Sequence, residues 1–225
     1  MSQTPEQTLE QYRARIDALD DQLIALLNER IGVVKQVAAL KAQHWPNNCH
    51  IRSGREGRMH ARIAQRFADS AFPAAAALAI WRQIIGASTH VESPLKIAVK
   101  NAAQAALARE YFGVVAEIAP FKTLADALAG IARGEATILL ASPRDLAAIH
   151  AGDAQLKVFA ALPVALRGKR PLALALAHIT PEPSGDDISY HLDAAQRVVA
   201  RPGFDTNGTW LGAHPRPLTL QENAS

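Results

Sequence analysis

Between Leu9 and Leu40 apolar residues recur every three or four positions: Leu9, Tyr12, Ile16, Leu19, Leu23, Leu26, then Val33, Val37 and Leu40. This spacing predicts one face of a long amphipathic helix packed against other helices. Arg30 breaks the series at a seam position. A guanidinium in a packed seam needs an anion beside it, because a buried unpaired charge is strongly disfavoured. Two partners meet that need: a buried carboxylate elsewhere in the protein, or an anionic ligand inside a helical bundle.

The same pattern sets the helix ends. Thr4-Pro5-Glu6-Gln7 offers a cap, a proline for the first turn and a glutamine to complete a capping box. Gly32 is the one weak point before the break at Trp45-Pro46-Asn47-Asn48. A helix over residues 5–43 would be on the order of 57 Å long. A compact domain of about 100 residues has a radius of gyration near 13 Å. A helix of that length needs partners along its whole face, and the rest of the N-terminal region supplies only two shorter helices. The expectation is a dimer. The second helix starts at Ser53-Gly54-Arg55-Glu56, read as another capping box, and runs to about Phe67. The third runs from near Pro73 to Glu92, with Pro94 ending it.

From Leu95 the period changes. Strands are expected over 95–99, 115–118, 136–140, 158–162 and 172–177. Helices are expected over 101–112 and 124–132, with another opening at Ser142-Pro143. This alternation predicts an α/β layer with some parallel strands. Pro181 to Asp187 reads as a loop, and the stretch from Pro202 shows no period. The expected organisation is an all-α N-terminal domain of three helices over residues 1–94, followed by an α/β domain over 95–225.

Composition narrows the class. The 225 residues are 49% hydrophobic and 20% charged, with a formal net charge of +3, ordinary values for a globular protein. One cysteine, Cys49, leaves no internal disulfide framework and no cysteine metal cluster. No metal and no cofactor is expected; His44, His50 and His60 lack ligand spacing. The polar start and the lack of a long apolar run point to a cytoplasmic protein with no membrane partner. No basic run with interleaved aromatics suggests nucleic acid.

Candidate chemistry lies in the helical half. Arg30 and Lys41 are eleven residues apart, which returns them to nearly the same helix face about 16 Å apart along the axis. Two long cationic side chains so placed could grip a small dianion. Arg13 falls roughly 100° away and about 25 Å along the axis from Arg30, so it could serve that site only from the partner of an antiparallel dimer. Arg55 and Glu56 open the second helix, where amide donors favour anions. Lys41 as a solvated residue, Glu56 as a capping acid and Arg13 as an exposed cation are the plainer alternatives.

Taken together, Arg13-x-x-Ile16-x-x-Leu19-Asp20-x-x-Leu23-x-x-Leu26-Leu27-x-x-Arg30, Lys41, Ile51-Arg52-Ser53-Gly54-Arg55-Glu56 and Ile80-Trp81-Arg82-Gln83-Ile84-Ile85-x-x-Ser88 resemble the all-α chorismate mutase family over about residues 8–93. The resemblance implies an intertwined homodimer that converts chorismate to prephenate by a Claisen rearrangement, an isomerase of the shikimate route to aromatic amino acids. It implies that Arg30, and Arg13 from the other protomer, bind substrate carboxylates, and that Lys41 donates to the breaking ether oxygen. Arg55 and Glu56 would meet the hydroxyl end, and Ser88 would line the pocket. Where the family often has a glutamine as second donor, this chain has Glu92, expected to act when protonated; the plainer alternative is a helix frayed at Glu92-Ser93-Pro94 with this side chain in solvent. Arg52 stands where some relatives carry an acid near the hydroxyl end.

The second half is weakly similar to one lobe of a prephenate dehydratase or periplasmic-binding-like fold. No Thr-Arg pair of the kind such dehydratases use occurs in the chain. The expectation is a degenerate dehydratase-like domain with a ligand-sensing or dimer-supporting role. The competing reading of the whole chain is a non-catalytic chorismate- or metabolite-binding regulator, with a bifunctional mutase–dehydratase a distant third.

Overall fold

The computed structural model describes residues 4–44, 51–166 and 171–220. By backbone contacts the chain divides into two compact units, Met1–Asn48 and Cys49–Ser225.

The first unit is one helix, α1 (Pro5–His44). Its start follows the predicted capping box: the Gln7 amide donates to the Thr4 hydroxyl at 3.3 Å, and Gln7 Oε1 accepts from the Thr4 amide at 3.0 Å. At forty residues it is about 60 Å long. No residue of α1 is buried. Its seam residues Leu9, Tyr12, Ile16, Leu19, Leu23, Leu26, Val33, Val37 and Leu40 are all exposed in the single chain. The predicted break at Trp45-Pro46-Asn47-Asn48 lies outside the described residues, as do Cys49 and His50.

The second unit begins with α2 (Ser53–Arg66) and α3 (Ala74–Glu92) and continues into a mixed sheet. The boundary expected between residues 94 and 95 falls inside this unit, at the turn from α3 into β1 (Lys96–Val99). There follow α4 (Ala102–Phe112), β2 (Glu117–Pro120), α5 (Leu124–Ala132), β3 (Ile138–Ala141), a 3-10 turn (Pro143–Asp145) and α6 (Leu146–Gly152). The last elements are β4 (Lys157–Leu162), β5 (Ala173–Ala177), β6 (Asp187–Leu192), β7 (Val198–Pro202) and β8 (Thr209–Pro215). The strand order is β2-β1-β3-β5-β4-β8-β6-β7. β1 runs parallel to β2 and β3, β5 is antiparallel to β3 and β4, and β6 is antiparallel to β7 and β8.

The central strands are buried on both faces, which is why they read as continuous apolar runs. Ile97, Val99, Ile138 and Leu140 face the side covered by Ala108, Tyr111 and Phe112 of α4. Ala98, Leu139 and Ala141 face Ala127 and Ile131 of α5 and Leu146 and Ile149 of α6. Alternation along each strand thus builds two cores from one sheet.

Three strands follow Pro181 where the sequence reading has only a loop and an aperiodic tail. β8 pairs with β4 in parallel, so closely at Gly212 that a Cβ there would collide with the Val158 backbone, and Gly212 has φ +123°. Only glycine suits both conditions.

Candidate functional site

The start of α2 departs from the predicted capping box. Arg52 is the N-cap residue and makes no side-chain cap. Ser53 is already helical, and its hydroxyl accepts from the Glu182 amide at 3.4 Å. Glu56 turns away from the helix end toward Arg82 on α3. A buried guanidinium is a far stronger partner for a carboxylate than a solvated backbone amide.

Arg82 is the centre of the polar cluster in the second unit. Its Nη1 donates to Glu56 Oε2 at 2.6 Å, with the two side chains 4% and 13% exposed. Nε donates to the Tyr111 carbonyl at 2.6 Å, and Nη2 donates to the same oxygen. The guanidinium carbon lies 3.7 Å from the centre of the Tyr111 ring. Nη1 also stands 3.2 Å from His60 Nε2. Burial, reinforced by the Arg82 charge, pushes the His60 imidazole down to about 3, so it is neutral and Nε2 accepts. Burial pushes the Tyr111 hydroxyl well above the ordinary phenol range. One cation therefore ties together α2, α3 and the last turn of α4.

Close backbone approach makes this possible. Gly86, one turn beyond Arg82, lies against the Phe112 carbonyl and the Gly113 amide, where a Cβ would clash. Gly113, at φ +88°, ends α4 at that point.

The other predicted site residues divide between the two units. Arg13, Arg30 and Lys41 belong to α1. Arg13 is exposed and lies 3.6 Å from Glu10, whereas Arg30 and Lys41 are half-buried. In the second unit Arg55 is exposed on the first turn of α2. Arg52 Nε donates to Glu182 Oε1 at 2.9 Å. Ser88 is buried, and its hydroxyl donates to the Ile84 carbonyl at 2.7 Å. Glu92, half-buried, is the last residue of α3, four residues after Ser88 on the same helix face.

At the carboxyl ends of β1 and β3, where open α/β sheets commonly take ligands, the polar groups are engaged within the chain. Lys100 Nζ bonds Asp145 Oδ2 at 3.0 Å, and Asn101 caps α4 through the Gln104 amide at 2.9 Å. Among the described residues no group of three or more His, Cys, Asp or Glu could hold a metal ion, and no helix is long and apolar enough to cross a membrane.

Comparison with known sequences accounts for the helical stretch. Residues 12–93 match the family described as chorismate mutase type II. The matched segment runs from α1 to the residue after α3 and contains all eight predicted site residues, from Arg13 to Glu92. The chain is also 30% identical over 124 residues to a bifunctional chorismate mutase/prephenate dehydratase of Aquifex aeolicus (strain VF5). That similarity covers 52% of this chain and 34% of the relative, so the chain spans about a third of the relative's length. No solved structure matches.

Proposed function

We propose that the chain is a homodimeric chorismate mutase, with residues 1–94 as the mutase segment and residues 95–225 as a degenerate dehydratase-like domain. The family match over residues 12–93 carries this reading. The exposed apolar seam of α1 supports the dimer, because a contiguous apolar stripe of that length marks an interaction surface.

The rearrangement is unimolecular and needs neither nucleophile nor metal. The protein must hold a chair-like conformer and stabilise negative charge growing on the ether oxygen. Arg30 binds one carboxylate and Arg13 of the partner protomer another. Lys41 donates to the ether oxygen, and Arg55 and Glu56 engage the hydroxyl end. Ser88 lines the pocket, with Arg52 at its rim, held by Glu182. Glu92 donates a second hydrogen bond when protonated. No dehydratase step is proposed.

The test is turnover of the purified chain with chorismate, with product identified directly, at neutral and mildly acidic pH. Prephenate formation that Arg30→Ala reduces by about 100-fold is expected, the scale of removing one partner of a desolvated charge pair. Glu92→Gln, which places an uncharged donor at the same position, should raise turnover at neutral pH. Chorismate binding that needs Arg30, without turnover, would replace this reading with the non-catalytic binder.

A further inference from the structure

We propose that Arg82 is a positioning residue for Glu56, and that the α/β region completes the mutase site through Tyr111. The inference rests on the mutase reading for what Glu56 contacts.

A carboxylate that orients a substrate hydroxyl must itself be held in one direction. The Glu56 side chain is mostly shielded from water, and Arg82 engages its Oε2 at 2.6 Å. Because the carboxylate is planar, fixing Oε2 also fixes the direction in which Oε1 accepts. A lone ion pair would leave the guanidinium free to swing, but Arg82 is constrained on every side. Two of its nitrogens share the Tyr111 carbonyl, its face rests on the Tyr111 ring, and Nη1 meets neutral His60. The carbonyl belongs to the last turn of α4, where the negative end of the helix dipole favours a cation.

The anchor therefore comes from outside the segment matched to the mutase family: Tyr111 lies beyond residue 93. Gly86 keeps α4 close enough for its carbonyl to reach position 82. The appended half of the chain thereby has a role in the mutase site that needs no ligand of its own.

The experiment compares kcat/KM for chorismate among full-length wild type, Arg82→Lys, Tyr111→Leu, Glu56→Gln and the two double variants with Glu56→Gln. Each is assayed well below its own melting temperature. A lysine can reach Glu56 or the Tyr111 carbonyl but cannot fork between them. Arg82→Lys is expected to lose at least tenfold in kcat/KM, yet to cost less than threefold once Glu56 is already glutamine. A merely structural role would give losses independent of residue 56. Tyr111→Leu keeps the carbonyl, removes the ring, and should give a smaller loss with the same dependence on Glu56; it decides the matter if Arg82→Lys does not fold. Wild-type activity in both variants, or additive losses in the double variants, overturns the inference while the mutase reading stands. An inactive wild type overturns the mutase reading itself, and the inference with it.

Discussion

Arg82 on α3 and Glu56 on α2 form a shielded ion pair, 2.6 Å between Nη1 and Oε2, fixed from behind by a backbone carbonyl of α4. Stability should depend steeply on keeping the pair whole. Arg82→Met leaves a mostly shielded carboxylate without its cation and is expected to cost about 3–5 kcal/mol, whereas Arg82→Met with Glu56→Leu should recover much of that loss. Urea unfolding of the two variants beside wild type measures the difference. Equal losses would mean that the pair contributes packing rather than charge compensation.

Gly86→Ala is expected to destabilise the protein even though alanine is the better helix former by about 1 kcal/mol. The new methyl would meet the Phe112 carbonyl, which is backbone and cannot swing aside. Overpacking of this kind costs about 1–3 kcal/mol. A melting temperature equal to or above wild type would show that α3 and α4 separate easily.

Acid should weaken the fold through two buried imidazoles. Burial holds His60 down to about 3 and His214 down to about 4, against an ordinary 6.5. Below about pH 6.5 the unfolded chain takes up protons that the native chain refuses. The stabilisation is therefore complete above pH 6.5 and declines as pH falls toward 4, by at most about 1.4 kcal/mol per pH unit for each histidine. Urea midpoints between pH 7.5 and pH 5 give the slope, and His214→Asn should make it shallower. A slope unchanged by that substitution would mean that His214 titrates normally.

If Arg13 serves the partner's site, two inactive variants should rescue one another. A mixed dimer of Arg13→Ala with Arg30→Ala has one site lacking both arginines and one site with both intact. Co-refolding the two variants is expected to restore up to about a quarter of wild-type turnover, from half the dimers with one working site each. No recovery in dimers shown to have mixed would place Arg13 in its own protomer's site.

Much of this architecture was legible in the sequence because local signals agreed with the tertiary result. α1 shows its period and its capping box, and the strands through β5 are apolar runs punctuated by glycine and proline. β6 and β8 were not legible. Buried Asp187, Ser189, His191 and His214 lie within them. Ser189 donates to the Gly203 carbonyl and His191 meets that of Asn207, so strands that look polar are in fact interior.

The site shows the same limit. Glu56 reads locally as a capping acid, and only the long-range approach of Arg82 diverts it. Yet Arg82 could have been found by the reasoning that singles out Arg30. It lies four residues after Leu78 and three before Ile85, on the face those buried residues share.

A forty-residue helix that buries none of its own residues has a further meaning if α1 pairs with a second copy, as proposed. The burial that should stabilise α1 then comes from a second molecule, so association and folding of this helix are a single mass-action equilibrium. In such a dimer, dilution would do to α1 what heat does to the sheet. Its melting temperature is then not a constant of the sequence but a function of how many copies share the solution.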